Sequence, residues 1–232
     1  MKINIEGNKV EGVFQRRLNR FIGEVLIDDK LEITHIPNTG RMKDFLTNGA
    51  NIILRKVNEP HRKTQYDLLM VYKDNTLINI DSKLPNNLLH KAFLNKDIEG
   101  FQQYDDIRRE VTFGNSKFDF YLSNKKESVL VEAKCVTLVK ENHLASFPDA
   151  PTDRGTKHIL ELIEAKKQGF RTAVFFIIQR DDANKFTPNQ EMDEAFYKAV
   201  LLAKKVDVEF YAYTCHVTPN SLRLKNQLEI IL

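Results

Sequence analysis

One short stretch constrains the fold of this chain more than any other. Residues 172–178, Thr-Ala-Val-Phe-Phe-Ile-Ile, form a continuous apolar run closed by Gln179 and Arg180. A strand without polar alternation is buried on both faces, so the run predicts a central strand with structure above and below it. Helical periods flank it. Residues 156–168 place Ile159, Leu160, Leu162 and Ile163 at helical spacing and end before Gly169. Residues 191–204 read as a second long helix, residues 208–213 as a strand and residues 222–224 as an edge strand. Upstream, residues 117–122 and 128–134 read as two more strands. Strands alternating with helices predict a three-layer α/β domain with a mixed sheet.

The pattern differs before Leu84-Pro85. Residues 8–15, 19–26, 30–35, 50–57, 66–72 and 76–80 are short, apolar and β-branched, with Asp28-Asp29 and Pro37-Asn38-Thr39-Gly40 as turns. Residues 42–46 suit a short helix. Five or six short strands with one helix predict a small β-barrel of OB type, and an SH3-like barrel fits as well. Proline then suits a helix start, and residues 86–94 carry Leu88, Leu89, Ala92 and Phe93 at a helical period. The expected division is therefore a barrel over residues 1–85 and an α/β domain over residues 86–232.

Composition narrows the setting. Hydrophobic residues make up 42% and charged residues 29% of the 232, too apolar for disorder. No apolar run approaches the length of about 20 residues that spans a bilayer, and the first ten residues lack a signal-peptide core. A cytoplasmic protein without a membrane partner is expected. Cys135 and Cys215 lie far apart within expected strands, which argues against a disulfide framework or a zinc site. Residues 1–85 hold 14 Lys and Arg against 11 Asp and Glu, while residues 86–232 hold 21 of each. The excess gathers at Arg16, Arg17 and Arg20, and again at Arg55, Arg62 and Lys63. Such clusters suit a phosphate backbone, although a solvated surface is the plain alternative.

The chemistry centres on three residues. Glu132 and Lys134 are two apart on a strand and so share a face. Asp119 sits in the preceding strand, joined through a turn at residues 123–126. Two adjacent carboxylates repel unless a cation joins them. Mg²⁺ or Mn²⁺ is the fitting ion, because such hard cations take one or two carboxylates plus waters, and the Ala133 carbonyl can add a ligand. A bound metal polarises phosphate and supplies hydroxide near neutral pH, and Lys134 would orient that hydroxide or stabilise charge. An exposed Glu–Lys pair on an edge strand is the ordinary alternative. Glu110 is a further acidic position upstream, equally readable as a surface residue balancing Arg108 and Arg109. Arg154, Lys157 and His158 fall at a helix start, where backbone N–H groups favour phosphate, with Asp153 as the expected cap. Cys135 reads as a core residue rather than a nucleophile.

The segments HIPNTGRM at 35–42, SKLPNNLL at 82–89, YDDIRREVTFGNSKFDFYL at 104–122, VEAKCVTLV at 131–139 and FPDAPTDRGTKHILEL at 147–162 carry a resemblance over nearly the whole chain. It resembles the sugar fermentation stimulation protein A family of bacteria and archaea. That resemblance implies an OB-fold N-terminal domain, a C-terminal domain similar to the PD-(D/E)xK nucleases, non-specific DNA binding and a regulatory link to sugar metabolism, maltose in particular. The nuclease pattern falls on Asp119, Glu132 and Lys134, with Glu110 as the upstream acid. Phe118 stands where that pattern has proline. Three functions follow: a metal-dependent DNA phosphodiesterase, a DNA-binding regulator without cleavage, and an oligosaccharide-binding barrel. The absence of Trp weighs against the last, and cleavage that needs metal separates the first two.

Overall fold

The structure, a computed structural model, describes residues 1–232. After strand β1 (Lys2–Asn4), the chain lays down β2 (Lys9–Arg17), β3 (Ile22–Ile27), β4 (Lys30–His35), β5 (Asn51–Lys56), β6 (Tyr66–Lys73) and β7 (Thr76–Asn79). Asp28 and Asp29 both have positive φ, 48° and 60°, which is what a two-residue turn between right-twisted strands requires. Ile27 accordingly pairs with Lys30. The strands run in the order β4-β3-β2-β5-β6-β7, and a parallel pairing of β4 with β6 closes β2 to β6 into a barrel of OB type. Phe14, Val25, Ile52, Leu54 and Leu68 fill it. Met42, Phe45 and Leu46 plug the same core, but the short helix expected there is a single turn carried by the bond from Leu46 N to Met42 O (2.8 Å). Met42 itself has φ 51°, outside helical geometry.

The second half follows as α1 (Leu84–Leu94), β8 (Asp106–Phe113), β9 (Ser116–Ser123), β10 (Ser128–Val136), β11 (Val139–Lys140), β12 (Leu144–Phe147), α2 (Asp153–Lys167), β13 (Arg171–Ile178), β14 (Lys185–Pro188), α3 (Glu194–Lys205), β15 (Glu209–Thr218), β16 (Ser221–Gln227) and β17 (Glu229–Ile230). A seven-stranded mixed sheet has the order β1-β16-β15-β13-β10-β9-β8, with β10, β13 and β15 parallel at its centre. The apolar run is β13, buried from Thr172 to Ile178 as its lack of alternation predicts. On one face Val174, Phe176 and Ile178 pack with Ile159 and Leu162 of α2 and Phe196 and Val200 of α3. On the other, Ala173, Phe175 and Ile177 meet Leu88, Leu89 and Phe93 of α1.

That second cluster also contains Ile53, Leu69 and Met70 of the barrel. On β5, Ile52 and Leu54 point into the barrel while Ile53 points out into the shared cluster. The barrel wall and α1 together make the third layer, so the two halves share one core. The division at residue 85 needs one correction: β1 belongs to the large sheet, where Lys2 to Asn4 pair with Arg223 to Ser221. A small sheet, β11-β12-β14-β17, was also not foreseen. Its strands are two to four residues long and form only because the chain brings them together. The residue capping α2 is Thr152, whose hydroxyl accepts from Gly155 N (3.0 Å), and not Asp153, which is the first helical residue. No helix is long and apolar enough to cross a membrane.

Candidate functional site

The antiparallel ladder between β9 and β10 pairs Ser123 with Ser128 and runs to Phe120 with Val131. There the strands part, and the Asp119 carboxylate occupies the gap. Its Oδ2 accepts from Ala133 N (2.8 Å), and its Oδ1 accepts from Asn86 Nδ2 (2.5 Å) in the first turn of α1. Glu132 and Lys134 project from β10 on one face, as their spacing predicts, and Lys134 Nζ donates to Glu132 Oε1 at 2.7 Å. His158 on α2 donates from Nδ1 to the same oxygen at 2.5 Å, and its ring packs on Phe118. Arg154 Nε lies 3.4 Å from His158 Nε2. Glu132 Oε2 is buried and has no partner.

Burial lifts the Asp119 carboxyl to about 6, reinforced by the charge of Glu132 and opposed by the Ala133 N–H, Lys134 and Asn86. Burial also acts to raise Glu132, but the Lys134 charge and the His158 hydrogen bond outweigh it and hold Glu132 below the usual range. The two acids of one site are thus pushed in opposite directions, a pattern common where protons and cations are handled. They open into a cleft of about 410 Å³. Arg20, Asn38 and Gly40 of the barrel form one wall, and residues 147–152 with Arg154 and Gly155 form another, which brings the Asp149 carboxylate to the cleft as well.

Glu110 does not join them. It lies on the edge strand β8 with φ 56°, and its Oε2 pairs with Lys117 Nζ at 2.6 Å, with both side chains exposed. The nearby lysine holds it at the surface. No three acidic, His or Cys side chains gather around a common point. Two carboxylates, an unpartnered buried oxygen and a backbone carbonyl beside a cleft still suit a divalent cation that keeps most of its waters.

The basic residues divide sharply. Arg20 and Arg154 line the cleft. Arg17 instead donates to the carbonyls of Asn38 (2.6 Å), Gly40 (2.5 Å) and Arg20 (2.7 Å), stapling two loops together. Arg16 is paired with Glu24 at 2.6 Å. Arg55 and Arg62 hold Asp67 at 2.7 and 2.5 Å, and Lys63 lies in the polar hollow beside them. Lys157 donates to Asn115 O (2.8 Å). Arg16, Arg55 and Arg62 thus each pair with a carboxylate of the barrel, whereas Arg17 is held by backbone carbonyls and keeps its place beside the cleft. Cys135 borders the cleft, but burial pushes its thiol up to about 12, which leaves it without nucleophilic character at neutral pH. Asn86 was not singled out in the sequence. Its only signal was its place just after Pro85, in the first turn of a helix, and nothing local shows that this turn faces Asp119.

A closed barrel of OB type sharing a core with a mixed-sheet α/β domain, with an acidic pair at the point where two strands part, defines the class. The model described as the sugar fermentation stimulation protein RE domain matches residues 83–221, and the one described as the SfsA N-terminal OB domain matches residues 16–80. The chain belongs to the sugar fermentation stimulation protein family. It is 60% identical over 231 residues to a sugar fermentation stimulation protein homolog of Alkaliphilus metalliredigens, covering 99% of this chain and 100% of that one. A homolog from Clostridium perfringens is 49% identical over 223 residues, 96% of each chain. Among solved structures, SfsA of Pyrococcus furiosus in complex with Ca²⁺ superposes over 100% of both chains with a TM-score of 0.91 at 28% identity.

Proposed function

We infer that this protein is a divalent-metal-dependent phosphodiesterase acting on DNA. The observation that carries the reading is the convergence of Asp119, Glu132 and Lys134 on a cleft, with Glu132 Oε2 buried and unpartnered beside a raised Asp119. Buried polar atoms without partners are rare and call for a missing one. The Ca²⁺ held by the Pyrococcus relative is consistent with a hard cation here. Mg²⁺ or Mn²⁺ would be held by Asp119 and Glu132, with the Ala133 carbonyl beside them. When bound, such an ion polarises a phosphate oxygen and lowers the pKa of its water. The chain's own residues supply the rest. Asn86 and the Ala133 N–H fix the Asp119 carboxylate, and His158 fixes one oxygen of Glu132. Lys134 places a positive charge where an attacking oxygen and a charged phosphate would meet. Arg20 and Arg154 line the cleft as partners for flanking phosphates.

Glu110, held at the surface by Lys117, favours a second reading in which DNA is bound and not cut, because the site then has one carboxylate fewer. One experiment separates the two: incubation of plasmid and single-stranded DNA with Mn²⁺ or with chelator, for the wild type, Glu132→Gln and Lys134→Met. The first reading expects metal-dependent cleavage that falls by at least about a hundredfold in both variants, with binding in chelator retained. Equal cleavage by all three preparations, or none by the wild type, supports binding alone.

A further inference from the structure

We propose that the nucleic acid reaches the carboxylate cleft as a single strand, laid along a basic trough on the barrel with a base stacked on Phe21. The proposal names the substrate form for the site described above and rests on that reading for its chemistry, but its binding surface stands on separate observations. The trough has a volume of about 520 Å³ and is lined by Arg17, Arg20, Arg41 and Lys43 with no acidic residue. It shares Arg20, Thr39, Gly40, Ala150 and Pro151 with the carboxylate cleft, so the two form one continuous path.

The trough is built rather than incidental. Arg17 binds the carbonyls of Asn38 and Gly40 and so holds the β2–β3 loop against the loop that follows β4. Asn19 Oδ1 accepts from Phe21 N (2.8 Å) and Ile22 N (3.1 Å), which sets the turn that carries Arg20. Because Arg17 is bound to carbonyls and not to a carboxylate, its contacts leave its charge in place. The same loop exposes Leu18 and Phe21, the latter 52% accessible. A lone exposed aromatic residue is ordinary. Phe21 directly follows Arg20, which lines the trough, and an exposed ring on the same loop as a basic groove is the pairing of stacking surface and cationic track that holds single strands.

The form of the strand follows from the same geometry. In a duplex the base faces are covered by their neighbours, so Phe21 has nothing to stack on unless a base is unpaired. The cleft of about 410 Å³ lies between the barrel and the segment from Phe147 to Thr152, and it offers a nucleotide-sized space beside Asp119 and Glu132. The other basic cluster, around Arg55 and Arg62, is bound to Asp67 and offers no second track for a complementary strand.

The test uses the full chain in chelator, so that cleavage does not enter. Fluorescence anisotropy compares a labelled thymidine homopolymer with a mixed-sequence duplex of equal length. The wild type is expected to prefer the single strand by about tenfold or more. Phe21→Ala, at an exposed position, is expected to weaken single-strand binding by about tenfold, in the range of one lost base stack, and to leave duplex binding unchanged. Phe21→Tyr keeps the ring and is expected to restore it. Equal affinity for both nucleic acids, duplex preference, or a Phe21→Ala variant indistinguishable from wild type overturns the proposal. Because no metal is present, these results do not depend on whether the protein cleaves.

Discussion

The barrel carries two groups of basic residues that look alike in the sequence and do opposite things in the fold. Around Asp67, Arg55 and Arg62 point inward to one carboxylate, and His35 Nδ1 lies 3.0 Å from it. His35 and Arg55 are the cross-strand partners of Asp67 on β4 and β5, so this group ties three strands at the seam where the barrel closes. Around the cleft, none of Arg17, Arg20, Arg41 and Lys43 forms an ion pair: Arg17 is anchored through carbonyls, and the nearby Asp149 carboxylate accepts from Met42 N (3.2 Å) instead. The first group is a clasp in which two arginines share one buried carboxylate, and the second is a surface whose charges have no ion-pair partner and are left to act on a polyanion. Net charge, which is +3 for the whole chain, cannot tell them apart. What separates them is whether a buried acid lies within hydrogen-bond reach.

Exchanging the two groups in mutagenesis sharpens the contrast. The largest effect is expected from neutralising Arg20, Arg41 and Lys43 together. DNA affinity at low salt should fall by about a hundredfold or more, and the slope of log affinity against log salt should flatten by about 2, at roughly 0.7 per single-strand contact. Thermal stability should hold within about 0.5 kcal/mol, as for surface changes. If the slope is unchanged, the trough does not face phosphate. Asp67→Ala is expected to do the reverse. It should destabilise the fold by about 2–3 kcal/mol in a denaturant titration, by stranding Arg55 and Arg62 beside the seam, while the salt slope of binding stays put. A lower salt slope with intact stability would make the clasp a binding surface instead.

A smaller effect concerns acid. Burial acts to raise Asp67, but its bonds to Arg62, Arg55 and His35 win and lower it to about 2. A carboxyl depressed in the folded state contributes stability that is complete above its unfolded value of about 3.9 and is lost as pH falls toward 2. Denaturant titrations from pH 5 to pH 2 should therefore show a loss of about 1–2 kcal/mol in the wild type that Asp67→Asn does not share. Parallel curves would remove the clasp from the acid response. Smallest of all is Lys63→Ala. Lys63 has no ion-pair partner at Asp67, so both stability and DNA affinity should stay within about 0.5 kcal/mol of wild type, by calorimetry and anisotropy.

Much of the site could be read along the chain. Asp119, Glu132 and Lys134 came from strand period alone, since residues two apart share a face and a short turn makes neighbours antiparallel. The barrel strands and β13 were equally plain, because alternation and its absence report on burial within a few residues. Glu110 falls opposite Asp119, between the Arg109–Phe120 and Val111–Phe118 pairs, and spacing alone leaves both of its readings open because it does not show the surface pair with Lys117. In the sequence His158 is one of several polar residues at a helix start, and only the fold shows that it holds Glu132 across 26 positions.

What the sequence determined by itself is therefore local: which segments are strands, which are buried on both faces, where turns lie, and that two carboxylates and a lysine can share one strand pair. Those features depend on side-chain period and backbone preference over a handful of residues. Tertiary structure decided which charges find an ion-pair partner and which do not, that the barrel wall serves as one layer of the α/β domain through Ile53, Leu69 and Met70, and that Arg20 lies in the same cleft as Asp119. These are meetings of segments about a hundred residues apart. Hydrogen bonds and ion pairs act over a few ångströms, so only the packed chain settles which partners each charge finds.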